Sequence, residues 1–213
     1  MRTKRITVSC RLICVVAAAC VGVASAKEVA PPPDNSFELS LGLGYGQGLG
    51  PVASGTPRLQ ELGNVGATFE IDAGWRINPS SMVGVYSELS YFDGGKLVNA
   101  DHATSVAAGI QGQFHFIPGR RFDPWIGLGV GWRGYWGTLA NNGTYKLQGI
   151  DFARLRIGLD YRVSPTLALG PVFGMTLTDF LSEKRPGANS YIDTTDRKPN
   201  TFVFAGLQGR FDL

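Results

Sequence analysis

One short segment contains the residue types that acyl-transfer chemistry needs. Asp101 and His102 are adjacent, and Ser105 follows three positions later. A nucleophilic hydroxyl needs a base within hydrogen-bond reach and an acid that orients the base, so these three residues form a candidate catalytic set. A solvated loop histidine explains His102 equally simply, and we favour that explanation because the order of the residues is not a recognised enzyme arrangement. We therefore expect no catalytic residues and no enzymatic activity.

Sites for phosphates and metals are also weakly supported. The glycines at positions 42, 44, 46 and 48 look like a phosphate-binding loop, but no helix follows whose N-terminus would hold the phosphate. The chain has two histidines, His102 and His115, and its three cysteines all lie within the first twenty residues. A zinc site needs three or four ligands close together, and two scattered histidines cannot supply it alone. We therefore expect no metal and no cofactor.

The elements that would position these residues are β-strands. In the first of them every second residue is apolar and the residues between are polar or glycine, which is the period of a strand with two unlike faces. The same alternation is found in eight segments, counting the first. The predicted strands are Phe37–Tyr45, Val65–Trp75, Met82–Tyr91, Thr104–Phe116, Trp125–Tyr135, Ala153–Val163, Leu167–Phe180 and Thr201–Leu213. The sequence thus predicts an all-β protein, an eight-stranded antiparallel up-and-down transmembrane β-barrel.

The connections between these strands alternate between long and short. Long loops are predicted near residues 46–64, 92–103, 136–152 and 181–200, whereas Asn78–Ser81 and Ser164–Thr166 have the composition of tight turns. Membrane-spanning barrels have short periplasmic turns and long external loops. Both chain ends are therefore predicted to face the periplasm.

Aromatic residues on the outward face support this topology. Once the strands are oriented, these residues fall at the two ends of the predicted barrel, where amphipathic rings are favoured at membrane interfaces. The periplasmic belt comprises Phe37, Trp75, Phe114, Phe116, Tyr161 and Phe211, and the external belt comprises Tyr45, Tyr91 and Trp132.

The inward face contains a balanced set of charges. Its acidic members are Glu38, Glu70, Asp72, Glu88, Asp160 and Asp212, and its basic members are Arg76, Arg133, Arg154, Arg156, Arg162 and Arg210. Eight strands leave a lumen that side chains can just fill, and buried charges must be paired. We predict that these residues plug the lumen, with His115 completing the polar network. A polar conduit for small solutes is the alternative.

The start of the chain resembles an export signal. Basic residues precede the apolar stretch Leu12–Ala24, and Ala24–Ala26 reads as a cleavage site. We therefore assign residues 1–26 to a signal peptide, 27–36 to a proline-rich periplasmic spacer and 37–213 to the barrel. Cys20 follows alanines and lacks the leucine typical of a lipoprotein signal. Without the leader the net charge falls from +3 to −1, so nucleic acid is not an expected partner.

Two local features fit the barrel pattern less well. The inward–outward parity of the sixth strand changes near Phe152 and Ala153, which indicates either a bulge or a later strand start. Pro171 lies inside the seventh strand, where it cannot donate a ladder hydrogen bond. It marks either a bulge or gap, or a candidate lateral seam between the lumen and the bilayer.

The signal peptide, the eight alternating strands and a last strand at the chain end resemble the small OmpA/OmpX-type outer-membrane barrels of Gram-negative bacteria. The resemblance implies residence in the bacterial outer membrane, contact with its lipids and lipopolysaccharide, and recognition of the C-terminal strand by the assembly machinery. In that family the last residue is usually aromatic, whereas here Phe211 lies two positions before the terminal Leu213.

Three functions remain open after this comparison. The favoured one is a structural or surface-interaction barrel with exposed loops and a filled lumen. A narrow channel for small or hydrophobic solutes comes second. The third is a lipid A-modifying enzyme, since some small barrels of that kind carry histidine, serine and acidic residues near the external surface. A soluble lipocalin-type barrel would need neither aromatic belts nor alternating loops, and the oligomeric state is left open.

Overall fold

The computed structural model describes residue 32 and residues 34–53, 56–96, 100–140 and 143–213. The predicted signal peptide and most of the proline-rich spacer, with Cys20, lie outside the described residues. Within the described part, no helix is long and apolar enough to cross a membrane.

Eight long antiparallel strands close into a barrel, which confirms the predicted fold class. Each strand pairs with its neighbours in sequence, and β1 pairs with β9 to close the sheet. The two-residue strand β8 pairs only with the end of β7, outside the barrel. The elements are β1 (Ser36–Leu49), α1 (Leu59–Leu62), β2 (Gly63–Asn78), β3 (Ser81–Gly94), β4 (Ala100–His115), β5 (Phe122–Leu139), β6 (Thr144–Ser164), β7 (Leu167–Lys184), β8 (Ile192–Asp193) and β9 (Asn200–Asp212).

The period-two pattern separates two environments, as a barrel wall requires. In β1 the polar side chains of Glu38 and Ser40 are buried in the lumen, while Leu41 and Leu43 are 39% and 65% exposed on the outside. Exposed apolar residues recur on the outer face of every barrel strand. Much of the barrel interior is therefore polar, and the outer face of the wall is apolar.

At the end of the barrel that is predicted to be external, the strands extend further than the sequence indicated. The two ends are called external and periplasmic after this prediction. The connections at the external end span only residues 50–62, 95–99, 140–143 and 185–199, so the predicted limits of the long loops are wrong. The apolar outward row ends near Tyr45, Tyr91 and Trp132, but the hydrogen-bonded ladders continue beyond these rings. Pairing needs only backbone groups, so it persists where the outward side chains become polar.

A bulge accounts for the parity change in β6. The β5–β6 register shifts between Gly129 and Gly131, which face Arg154 and Asp151, so that β6 contributes the extra residue. The β6–β7 register shifts at the same point, between Asp151 and Ala153. Because the bulge reverses the alternation, both Asp151 and Arg154 point into the lumen.

Pro171 causes a gap in one ladder without a bulge. It pairs with Leu207 of β9, but the β6–β7 ladder passes directly from Gly158–Val172 to Tyr161–Leu169 in unchanged register. A Cβ added at Gly170 would collide with the carbonyl oxygen of Leu159, so the two strands approach closely here. The candidate lateral seam stays a prediction.

Candidate functional site

The lumen is the most highly organised part of the molecule. All twelve charged residues that the sequence assigned to it are buried in the structure. They are Glu38, Glu70, Asp72, Arg76, Glu88, Arg133, Arg154, Arg156, Asp160, Arg162, Arg210 and Asp212. Because they come from six of the eight barrel strands, their contacts connect opposite walls of the barrel.

The periplasmic end of the lumen is closed by three arginines and two carboxylates. Arg76 contacts Glu38 and places its Nε 3.3 Å from Asp212. Arg162 Nη1 donates to the other oxygen of Asp212 at 2.9 Å, and Arg210 Nε lies 3.0 Å from Glu38. Each carboxylate therefore bridges two guanidinium groups, which compensates for burial of all five charges.

Arg210 continues the network towards β4 and β5. Its Nη1 contacts Asp160, which also accepts a hydrogen bond from Trp125 Nε1 at 3.0 Å. His115 lies beside the same guanidinium and pairs through Nδ1 with Asp123 at 2.8 Å. His115 thus lies in the polar network of the lumen. Asp123 was missed because β5 begins earlier than its apolar run, although extending the alternation from Trp125 would have placed it inside.

In the middle of the lumen, Glu70 binds two arginines. Arg154 Nη2 donates to one of its oxygens at 3.0 Å, and Arg156 contacts the other. Arg154 also donates to Gln111 at 2.6 Å and lies over the ring of Tyr86, 3.9 Å from its centroid. The centre of the barrel is therefore crossed by a charged, hydrogen-bonded layer.

A further charged cluster surrounds Arg133 on the external side of this layer. Its Nη1 donates to Glu88 at 2.7 Å, and its Nε donates to Asp151 at 3.0 Å. Thr178 also donates its hydroxyl proton to Asp151, and Ser105 accepts from Arg133. Sequence reasoning placed Asp151 in a loop because the bulge hid its parity.

An apolar plug fills the external mouth above these charges. It is a buried cluster of Val52, Leu59, Leu62, Phe92, Ala103, Tyr135, Leu147, Phe180 and Phe202. Helix α1, from the first external loop, inserts Leu59 and Leu62 into the mouth, and the Tyr135 hydroxyl donates to the Leu59 carbonyl at 3.2 Å. This plug was not predicted. Its signal in the sequence was the pair Leu59 and Leu62, whose spacing of three places them on one face of a helix. In the structure, Glu61 accepts a hydrogen bond from the backbone N–H of Arg58 at the start of this helix.

Little space remains between the apolar plug and the charged layers. The cavity bounded by Thr68, Glu88, Arg156 and Phe202 has a volume of about 10 Å³. That is roughly the volume needed for a single water molecule. The described lumen is thus sealed twice, by paired charges and by packed apolar side chains.

The predicted aromatic belts lie on the outer surface. All nine rings are 37% exposed or more, and they are Phe37, Tyr45, Trp75, Tyr91, Phe114, Phe116, Trp132, Tyr161 and Phe211. Phe114 and Phe116 contact each other edge to face at the periplasmic end, where Phe122 also packs against Tyr161.

The candidate catalytic residues are not brought together. His102 bonds to Asp101 at 2.9 Å and stacks on Tyr91 on the outer face of the barrel. Ser105 is buried in the lumen, where it donates to the Gly134 carbonyl. The histidine and the serine therefore lie on opposite faces of β4. Among the described residues, no group of histidines and carboxylates could hold a metal ion.

Comparison with solved structures identifies the same architecture. Neisserial surface protein A matches with a TM-score of 0.56 at 13% identity, covering 83% of this chain and 97% of that chain. The outer-membrane protein AlkL, solved by solid-state NMR in lipid bilayers, matches with a TM-score of 0.52 at 15% identity, covering 89% and 96%. OprG, an outer-membrane protein of Pseudomonas aeruginosa, matches with a TM-score of 0.51 at 13% identity, covering 87% and 100%.

No protein-family model matches the sequence, and no curated protein matches it. At these identities the similarity to solved structures concerns the fold. The chain has the fold of the small OmpA/OmpX-type outer-membrane barrels, and the resemblance drawn from its sequence is confirmed at that level.

Proposed function

We propose that this protein is an integral outer-membrane barrel with a closed lumen, which acts through its external surface in a structural or surface-interaction role. The observation that carries the proposal is the double seal of the lumen. Charged layers cross the barrel from Arg76, at the periplasmic end, to Arg133, and the apolar plug fills the mouth above them. A solute would have to separate buried ion pairs and displace α1.

Residence in the outer membrane is supported by the outer surface and the fold. Apolar side chains such as Leu43, Leu128 and Leu207 are 65–68% exposed on the barrel wall. Exposed apolar area of this extent is typical of a surface that meets lipid. The signal peptide expected at residues 1–26 would direct export, and recognition of β9 would serve assembly. Membrane lipids and lipopolysaccharide are then the surrounding partners.

The external loops offer the surface for interaction. The connection 185–199 is the longest of the four, and β8 holds part of it against the end of β7. Tyr191 and Ile192 are 39% and 50% exposed there, and Arg197 lies beside Asp179 at 3.7 Å. Exposed aromatic and apolar groups among charges are common in protein-binding surfaces.

The proposed role is non-enzymatic, because His102 and Ser105 are separated by the barrel wall. The channel alternative is favoured by one observation, namely that a single connection, residues 50–62, supplies α1 to the apolar plug. Displacement of that loop would expose an apolar mouth suited to hydrophobic solutes.

Conductance across planar bilayers tests the closed lumen directly. We expect the wild-type protein to insert without steady currents. Replacing both Leu59 and Leu62 by serine should leave the barrel closed, because the charged layers remain below. Steady single-channel currents from the wild type would reject the closed lumen, and currents from the double variant alone would identify the plug as a gate.

A further inference from the structure

The outer wall of the barrel is not uniformly filled. A groove, here called the wall groove, runs across the lipid-facing side of β3 to β7 with a volume of about 690 Å³. Its outward lining is apolar and includes Val83, Ile110, Leu128, Val130, Leu155 and Met175. The volume is within the ~300–1,000 Å³ typical of small-molecule sites.

Two features of the sequence create the wall groove. Gly112 pairs with Val83 on one side and Leu128 on the other. Because glycine has no side chain, the outward row that these three residues form has a gap at its middle position. A Cβ added there would meet only one atom within 4 Å, at 3.7 Å. The bulge at Phe152 and Ala153 also interrupts the regular pleat of β6, and both residues line the groove.

A second hollow adjoins the wall groove towards the external end, since Phe152 lines both. It has a volume of about 420 Å³ and is lined by Ile150, Phe152, Asp179, Leu181, Arg197 and Pro199. Its character is mixed, because Arg197 lies at its rim with the side chain 45% exposed. The combined surface is therefore apolar within the wall, and at the external end it carries Arg197, whose charge is partly offset by Asp179 at 3.7 Å.

Further positive charge lies above the second hollow. Lys146 of β6 and Lys184 of β7 are directly paired across the two strands. Like charges in this position repel each other, and an anion between them would remove the repulsion. Lys184 has the Asn189 carbonyl as a hydrogen-bond acceptor at 3.0 Å, which does not neutralise its charge. The paired lysines lie about 13 Å further along the strands than Ile150, at ~3.3 Å per residue.

We propose that the wall groove and the second hollow bind one phosphorylated glycolipid of the outer leaflet, the lipid A part of lipopolysaccharide. An acyl chain would lie in the wall groove, and the phosphates would meet Arg197 and the lysine pair. The orientation rests on the proposed outer-membrane function, which places this cationic end at the cell surface. Charge complementarity favours this lipid, because Arg197 and the paired lysines place positive charge at the end of the groove that faces the phosphorylated leaflet.

Binding of labelled diphosphoryl lipid A to the purified barrel in detergent micelles tests the proposal. Gly112→Phe fills the wall groove without a backbone clash, and we expect it to weaken binding about tenfold. Ala205→Phe adds the same ring to the outer face of β9, no described residue of which lines the groove, and should bind like the wild type. Heat-modifiable migration in gels verifies that both variants fold.

The cationic end is tested with a second pair of variants. The triple variant Arg197→Gln, Lys146→Gln and Lys184→Gln should lose the preference for phosphorylated over dephosphorylated lipid A, since each surface cation contributes about fivefold to binding of an anionic lipid. Arg120→Gln removes a cation from the opposite, periplasmic end and should keep the preference.

Three results would overturn the proposal. They are equal binding by the two phenylalanine variants, equal binding of phosphorylated and dephosphorylated lipid A by the wild type, and equally tight binding of phosphatidylglycerol. None of these results concerns the lumen. Conductance by a barrel that still binds lipid A would reject the closed lumen alone, so failure of the two proposals is distinguishable.

Discussion

Replacement of Arg133 by methionine should destabilise the barrel more than the same replacement at Arg154. Both side chains are buried, at 0% and 1% exposure. They differ in what their removal leaves behind. Arg133 is the guanidinium that contacts both Glu88 and Asp151. Among the described residues, neither carboxylate has another arginine within 4 Å.

The magnitudes follow from these contacts. Breaking a buried ion pair by removing one partner costs about 3–5 kcal/mol, because the other charge remains buried without compensation. Arg133→Met leaves two such carboxylates, so we expect a loss of ~5 kcal/mol in the free energy of unfolding. Arg154→Met leaves Glu70 with Arg156 and removes only a long contact of 4.0 Å with Asp72, so its loss should be near ~3 kcal/mol.

Urea unfolding of the refolded protein in phospholipid vesicles, followed by tryptophan fluorescence, measures both values. The matched control is the triple variant Arg133→Met, Glu88→Gln and Asp151→Asn, which removes the stranded charges and should recover most of the loss. Losses below about 1 kcal/mol for both single variants would show that water screens the lumen as it screens a surface pair. A larger loss for Arg154→Met than for Arg133→Met would refute the reasoning from partner counts.

Three further predictions concern the wall, the topology and the leader. Gly170→Ala should cost about 1–3 kcal/mol because its Cβ meets a backbone carbonyl, whereas Gly112→Ala should change stability by less than about 0.5 kcal/mol in the same unfolding assay. A cysteine at Asp193 should react with a membrane-impermeant maleimide on intact cells and one at Ser80 should not; the reverse pattern contradicts the topology. The intact mass should correspond to cleavage after Ala26, and a diacylglyceryl group on Cys20 would contradict this.

The strand faces could be predicted because period-two alternation is a local property of the chain. The inward position of each of the twelve lumen charges can be predicted because each alternates with apolar outward neighbours, and this does not require knowledge of its ion-pair partner. The pairing itself could not be predicted in this way. Glu70 and Arg154 are 84 residues apart, and only the closed barrel defines their contact.

Two parts of the lumen escaped prediction for different physical reasons. Asp151 was hidden because a bulge reverses the alternation, and a reversed pattern looks like the end of a strand. Helix α1 was hidden because Leu59 and Leu62 are stabilised by distant side chains such as Phe202, rather than by local helix propensity. The loop limits were wrong because backbone pairing continues where the apolar outward row ends.

The contacts across the lumen also bear on the kinetics of barrel formation. Arg210 of β9, the last strand, reaches Glu38 of β1 and Gln113 of β4, the latter 97 residues earlier in the chain. An open sheet that lacks the last strand would leave Glu38 with Arg76 alone and Gln113 without Arg210, at a high cost where water is excluded. Partly closed intermediates are therefore disfavoured, and closure should be a single cooperative step. Because most of its contacts are distant in sequence, this step should also be slow.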